Sequence, residues 1–348
     1  AMERGFRPLL HYMDDVQRIK GGFRIDQIPA DLVSTRKSLF LATGAGILAV
    51  GTWLMHDLLR SGGMFPLEWV LLVLFVPLFA TISFGFAIAF WGFVRTVGGG
   101  DRYEVMNALP GAEEGPLPPV AIAVPIFNEP VERVFKGVEN MLDSLRATGK
   151  SERFHLYILS DSSDLNHWLD EEKAWADLCW RKSAFGKVFY RKRRVSLHGK
   201  SGNIADFCRR WGRRYKYLVI MDADSVMTGQ TLVRLARLME SSSNLGIVQT
   251  APRMVLGTTA FQRMLQFSTR MVGPIFAAGS NFWHMAGGNY WGHNAIIRLK
   301  PFMEHCVLPE LPTDNPKDRH IMSHDTVEAA LMQKAGYQVW LAYLEEGS

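Results

Sequence analysis

The feature that most restricts this chain is a pair of long stretches without charge. No Asp, Glu, Lys or Arg occurs from Leu39 to Met55, and none from Trp69 to Val94. A bilayer core about 30 Å thick takes roughly 20 apolar helical residues to cross. The second stretch is long enough with tilt to spare, and Pro77 is a candidate kink. The first is at the short end and carries three glycines. A core helix is rarely apolar on every side for this length, so two spans are expected. A secretory signal does not fit, because the polar lead of residues 1–37 is too long and a second span follows. Between the spans, His56 to Glu68 holds Arg60 alone as a basic side chain, whereas the lead carries Arg4, Arg7, Arg18, Lys20, Arg24, Arg36 and Lys37. Positive-inside bias then puts the lead, and everything after Val94, on the cytoplasmic side.

The expected organisation is a polar segment 1–37, a two-helix hairpin 38–97, a linker 98–119 rich in Gly and Pro, and a domain from 120 to 348. Within that domain apolar runs alternate with helical spacing. Val120–Val124, Phe154–Leu159, Lys187–Tyr190, Tyr217–Met221, Leu245–Gln249 and Gln338–Tyr343 read as strands. Val131 to Leu145, Thr231–Met239 and Thr326–Ala335 read as helices, the first opened by Asn128-Glu129-Pro130. Such alternation implies an α/β fold with a mostly parallel sheet flanked by helices. Three cysteines, Cys179, Cys208 and Cys306, show no metal-ligand spacing and read as reduced thiols. The net charge of +5 is too small to argue for nucleic acid.

Chemistry concentrates at the ends of the expected strands. Tyr217–Met221 leads into Asp222-Ala223-Asp224, two carboxylates spaced i, i+2, which on a strand would share one face. Two unit charges about 5 Å apart repel by roughly 3 kcal/mol at an effective dielectric near 20. Mg²⁺ or Mn²⁺, which favours one or two carboxylates plus phosphate oxygens, would offset that repulsion; a solvated loop is the plainer alternative. Val124 to Glu129 could meet a nucleotide through backbone amides and Glu129, or simply cap a helix. Asp161 could accept hydrogen bonds from a base or ribose, while Asp164 could cap the next helix. Arg191-Lys192-Arg193-Arg194 reads as a solvated basic face. His198-Gly199-Lys200-Ser201-Gly202-Asn203 is not a P-loop, because the required earlier glycine falls at Arg194. Lys200 remains suited to neutralising a diphosphate. Ala286 to Ala295 combines glycines, aromatic rings and amides that suit a sugar, or forms a turn between helices. Asp325 is either an N-cap or a general base, the latter only if it shares a cleft with Asp222 and Asp224.

Taken in order, Val124 to Glu129, Asp161, Lys200-Ser201-Gly202-Asn203, Asp222-Ala223-Asp224 and Asp325 resemble the processive family 2 glycosyltransferases, membrane-embedded relatives of cellulose synthase. The wording of Leu197 to Phe207 and of Ser323-His324-Asp325 is similar to members that build the osmoregulated periplasmic glucans of Gram-negative bacteria. The resemblance covers essentially the whole chain. It implies a GT-A fold in the bacterial inner membrane, with the catalytic domain in the cytoplasm. It further implies UDP-glucose as donor, a growing glucan chain as acceptor with mainly β-1,2 linkage, the lipid bilayer and periplasmic glucan-processing proteins as partners, and no nucleic acid. By matching positions, Asn128, Glu129, Asp161, Lys200 and Asp222 would bind the nucleotide. Asp222 and Asp224 would hold Mg²⁺ or Mn²⁺, Asp325 would be the base, and Trp291, Gly292 and Asn294 would lie near the acceptor. Two departures stand out: Ser323-His324-Asp325 replaces the usual Thr-Glu-Asp, and the later Arg-Trp motif is not reached before Ser348. The text Phe207-Cys208-Arg209-Arg210-Trp211 precedes Asp222 and is a decoy for it. Two other classes fit less well: a transferase using another UDP-sugar with a lipid acceptor, and a non-catalytic basic module anchored to the membrane.

Overall fold

The structure is a computed structural model that describes residues 25, 28–108, 115–309, 321 and 323–344. The polar lead up to Arg24 and the linker residues 109–114 lie outside the described residues. The chain divides into two compact units.

One unit holds three long helices: α1 (Ala30–Leu59), α2 (Pro66–Val97) and α7 (Ala260–His284). Both charge-free stretches lie inside α1 and α2, and α2 runs on through Pro77. These two helices are long and apolar enough to cross a bilayer. Their outward residues are themselves apolar, with Leu54, Trp53, Val73, Leu74 and Leu78 all exposed. That pattern suits lipid contact better than a soluble core, and suggests membrane anchoring. Small residues set the spacing within the unit. A Cβ on Gly279 would fall 1.9 Å from the Ile88 carbonyl oxygen, and one on Gly92 would fall 1.9 Å from that of Ile275. The end of α2 is tied down by Asp101, whose carboxylate accepts two hydrogen bonds from the buried Arg36 guanidinium at 2.6 and 2.9 Å.

The other unit is a seven-stranded sheet with helices. In chain order come β1 (Val120–Ile126), α3 (Val131–Ala147), β2 (Phe154–Ser160), α4 (Leu165–Lys182), β3 (Val188–Lys192) and α5 (Gly199–Trp211). Then come β4 (Tyr217–Ile220), α6 (Gly229–Ser241), β5 (Leu245–Thr250), β6 (Ala295–Arg298), α8 (Leu299–His305), α9 (His324–Lys334) and β7 (Gln338–Ala342). The strand order is β3-β2-β1-β4-β6-β5-β7. All neighbours are parallel except at β6, which runs antiparallel to both β4 and β5.

Alternation of β-rich runs with helices accounts for the parallel part. The central strands are covered on both faces, and Val120 to Ala123, Leu156, Ile158 and Val219 are fully buried. Each of the Val, Leu and Ile side chains among them contributes roughly 1.5–3 kcal/mol by leaving water. Helix α3 buries Val134, Phe135, Val138, Met141, Leu142 and Leu145, the helical spacing read from the sequence. Pro130 sits at its N-cap, one position before the first turn where Pro was expected.

Candidate active site

The site is built where β1, β2, β3 and β4 end, the rim at which open α/β sheets present ligands. The ends of β1 and β2 are laced together. The Asn128 backbone amide donates to Ser162 Oγ at 2.9 Å, and the Ser163 amide donates to Asn128 Oδ1 at 3.2 Å. Asn128 has a φ of 60°, a left-handed conformation that asparagine tolerates. Beneath this loop, Glu171 is fully buried and accepts from Ser162 Oγ at 2.5 Å and Tyr190 Oη at 2.9 Å. Glu129 folds back to accept from the Phe127 amide. Asp164 caps α4 by accepting from the His167 amide at 2.8 Å, the structural role available to it.

The basic run that ends β3 does not form a single solvated face, although Arg194 is exposed. Arg191 and Arg193 are only 12% and 9% exposed, and both turn toward carboxylates. Arg193 donates to both oxygens of Asp161, at 2.7 and 2.5 Å, and to the Leu197 and Gly199 carbonyls at 3.1 and 3.2 Å. Arg191 lies 3.6 Å from Asp206 on α5, and its burial pulls the guanidinium pKa down to about 10 despite that carboxylate. Alternation along a strand explains the misreading: residues two apart share a face, and here that face meets α5. Asp161 therefore fronts the cleft with its carboxylate held by an arginine.

Lys200 stands in the first turn of α5, which starts from His198 and Gly199 at φ 59° and 52°. The loop entering the helix presses onto Gly202, where a Cβ would fall 2.1 Å from the Leu197 carbonyl oxygen. Lys200 Nζ pairs with Asp222 Oδ1. Asp222 and Asp224 are not on a strand. Pairing of β4 stops at Ile220, where its antiparallel partner begins at Ala295, and the Ser225 amide closes a turn on the Asp222 carbonyl at 3.0 Å. Strand alternation therefore does not aim the two carboxylates. The turn does, and both line one cleft of about 600 Å³ with Glu129, Asp161, Lys200 and Asn203. Asp222 is 37% exposed and Asp224 62%, the latter with Arg133 at 3.7 Å.

Trp291, Gly292, His293 and Asn294 form the turn before β6. His293 Nδ1 lies 3.8 Å from Asp222 Oδ2. Asn294 is buried, with its Oδ1 3.3 Å from His293 Nδ1. Gly292, at φ 82°, faces Asp325: a Cβ there would meet Asp325 Oδ2 at 3.4 Å. Asp325 is not the cap of α9. Ser323 holds that position and Asp325 sits in the first turn. Nor does it line the 600 Å³ cleft; it adjoins the turn whose next residue reaches Asp222. Behind it His324 Nδ1 is 3.3 Å from Glu328 Oε1, and burial raises the Glu328 pKa.

Sequence reasoning missed Arg193 and Gln249. The first was hidden in a run of like charges. The second is a buried amide near the end of β5 with four polar contacts, one to Thr250 beside it and three to the turn 291–294.

Residues 121–306, more than half of the chain, match the profile of glycosyl transferase family 2. The chain belongs to that family. This glycosyl transferase family 2 member has a GT-A fold, in which the antiparallel β6 is set into an otherwise parallel sheet. It is 48% identical over 287 residues to the glucans biosynthesis glucosyltransferase H of Pseudomonas fluorescens Pf-5, covering 82% of this chain and 33% of that protein. It is 44% identical over 341 residues to the one of Pectobacterium atrosepticum, covering 91% of this chain and 40% of that protein. The chain thus spans about a third of the length of the curated relatives it matches. Among solved structures, a mannosyltransferase of Pyrobaculum calidifontis in complex with GDP-Man and Mn²⁺ is 12% identical with a TM-score of 0.44, covering 90% of this chain and 68% of that one. Glucosyl-3-phosphoglycerate synthase of Mycobacterium tuberculosis is 14% identical with a TM-score of 0.40, covering 69% and 74%. Neither likeness is near enough to speak for the ligands of this chain.

Proposed function

We propose that this chain carries the donor site and catalytic base of a membrane-anchored, inverting glucosyltransferase that takes glucose from UDP-glucose to extend a β-glucan. The names of its relatives support a glucan product. A mainly β-1,2-linked osmoregulated periplasmic glucan, made from the cytoplasmic face of the inner membrane, is the fuller form of this reading. The observation that carries it is the turn 291–294, where His293 Nδ1 lies 3.8 Å from Asp222 Oδ2 and where a Cβ on Gly292 would meet Asp325 Oδ2 at 3.4 Å. Asp325 does not line the donor cleft itself, so this reading has the acceptor enter across residues 291–294, between Asp325 on one side and Asp222 on the other.

The donor set fits a hard divalent cation. Asp222 and Asp224 are half-exposed oxygen ligands on one turn, and among the described residues no third His, Cys, Asp or Glu joins them in a cage. Mg²⁺ or Mn²⁺ would take its remaining ligands from diphosphate and water. When bound it would supply electrophilic charge to the departing UDP. Lys200, beside Asp222, places a positive charge where the leaving diphosphate develops negative charge. Asp325 takes the proton from the acceptor hydroxyl as that oxygen bonds to the anomeric carbon and the bond to UDP breaks. A single displacement of this kind inverts the α-linked donor to a β-linked product. Arg193, locked on Asp161, stiffens the nucleotide end of the cleft together with Asn128 and Glu129. Trp291 and Gly292 border the acceptor side. The competing picture of a basic docking module through Arg191–Arg194, Arg209, Arg210, Arg213 and Arg214 loses Arg191 and Arg193, which are turned inward against Asp206 and Asp161.

Isothermal titration of UDP with and without Mn²⁺ tests the donor half of this reading. Tight binding that requires the ion and is weakened at least tenfold by Asp224→Ala is expected. Equal affinity for the Asp224→Ala variant contradicts the metal role of the pair.

A further inference from the structure

Gln249 is the last but one residue of β5 and is wholly buried. Its side chain does something the strand ladder does not. Pairing of β5 with β6 reaches Gln249 opposite Ala295 and stops there. The residues before Ala295 cannot continue it, because Gly292 and Asn294 have φ values of 82° and 49°. The amide of Gln249 reaches past the end of the ladder into that turn. Its Oε1 accepts from the Trp291 backbone amide at 2.8 Å. Its Nε2 donates to the His293 carbonyl at 2.8 Å and to its neighbour Thr250 at 2.8 Å, with the Asn294 carbonyl at 3.4 Å. Thr250 adds its backbone amide and hydroxyl to the Asn294 carbonyl, at 2.9 and 2.7 Å. The turn is therefore held from one side by Thr250 and by one buried side-chain amide that both donates and accepts, a pattern no apolar or charged residue of that size reproduces.

We propose that Gln249 is a positioning residue for glycosyl transfer: by clamping residues 291–294 it fixes the separation between Asp325, which stands beside Gly292 about where a Cβ would reach it, and Asp222, 3.8 Å from His293. This inference rests on the reading of Asp325 and Asp222 given above. Gln249 touches no substrate. It acts through the turn, and small displacements of a reacting group are expensive: about 1 Å can cost on the order of 100-fold in rate. UDP binding draws on Lys200, Asp222 and Asp224, in a cleft that residues 291–294 do not line, so it should be spared.

The test uses the full chain in detergent, with Gln249→Met as the near-isosteric variant that loses every polar contact. Gln249→Glu is the second variant, keeping the acceptor for Trp291 but setting a carboxyl oxygen against the Thr250 and His293 carbonyls in place of the donor. Arg298→Met is the stability control, since Arg298 also holds three buried carbonyls, those of Leu245, Met239 and Ser242, at the far end of β6. Both Gln249 variants should lower kcat for transfer about tenfold or more, while the Kd for UDP with Mn²⁺ and the donor KM stay within about twofold. Arg298→Met should lower Tm comparably and leave kcat within about twofold. Unchanged kcat in Gln249→Met, or an equal kcat loss in Arg298→Met, overturns the positioning role and leaves the assignment of the site intact. If Asp325→Asn retains full transfer, the assignment of the base fails and this inference goes with it.

Discussion

The Arg193–Asp161 pair offers the sharpest test of how the nucleotide end of the cleft is held. Arg193 is 9% exposed and Asp161 7%, and the guanidinium makes four hydrogen bonds, two to the carboxylate and two to carbonyls of the loop leading to Lys200. Arg193→Met removes the cation and strands a buried carboxylate. Breaking one side of such a pair costs about 3–5 kcal/mol, most of it from the uncompensated charge. For a unit of this size, about 1 kcal/mol shifts Tm by roughly 2–4 °C, so a fall of about 6–20 °C is expected. Asp161→Ala should cost a similar amount. The double variant should cost much less than the sum, with a coupling of about 2 kcal/mol or more, because no charge is left stranded. Thermal unfolding of the four proteins in the same detergent measures this cycle. Additive losses, or a shift under 2 °C for Arg193→Met, would refute the picture of a desolvated pair buttressing the cleft.

Three further expectations come from other parts of the molecule. Glu139 joins α3 to α4; burial alone would raise its pKa, but Lys136, Lys182 and Arg181 outweigh that and hold it at about 2, against an ordinary 4.5. Because its folded pKa is depressed, its contribution is present above about pH 4.5 and lost as pH falls toward 2, so Glu139→Gln should flatten the decline of Tm across that window. Gly202→Ala should displace the Leu197–Lys200 loop, given a Cβ 2.1 Å from a backbone oxygen, and weaken UDP binding about tenfold or more by calorimetry; unchanged affinity would mean the loop yields freely. Gly279→Val should separate α7 from α2, read as a large loss of thermal stability in detergent, since even a Cβ would overlap the Ile88 carbonyl.

How much of this was legible beforehand follows from the physics of each element. The central strands announced themselves because both faces are buried, and α3 because its apolar residues keep one helical face. Strand β6 did not: Ala295–Arg298 is four residues long and follows a turn rich in glycine and aromatic residues. Helix α7 was not expected either: Gly273 and Pro274 disfavour a helix interior, and Gly279 makes sense only against α2. The two carboxylates 222 and 224 were found for a reason that does not hold in detail, since a turn and not strand alternation brings them to one cleft. Arg193 and Gln249 have roles defined by distant partners, and spacing along a chain carries no trace of those.

The central claim is that Asp325 is the base and Asp222 with Asp224 the donor clamp, separate jobs held by separate residues. Measuring glucose transfer and Mn²⁺-dependent UDP affinity side by side for Asp325→Asn separates them most directly. The account predicts transfer reduced by at least about a hundredfold with UDP affinity within twofold of the parent. Transfer that survives, or affinity and transfer falling together, would contradict it.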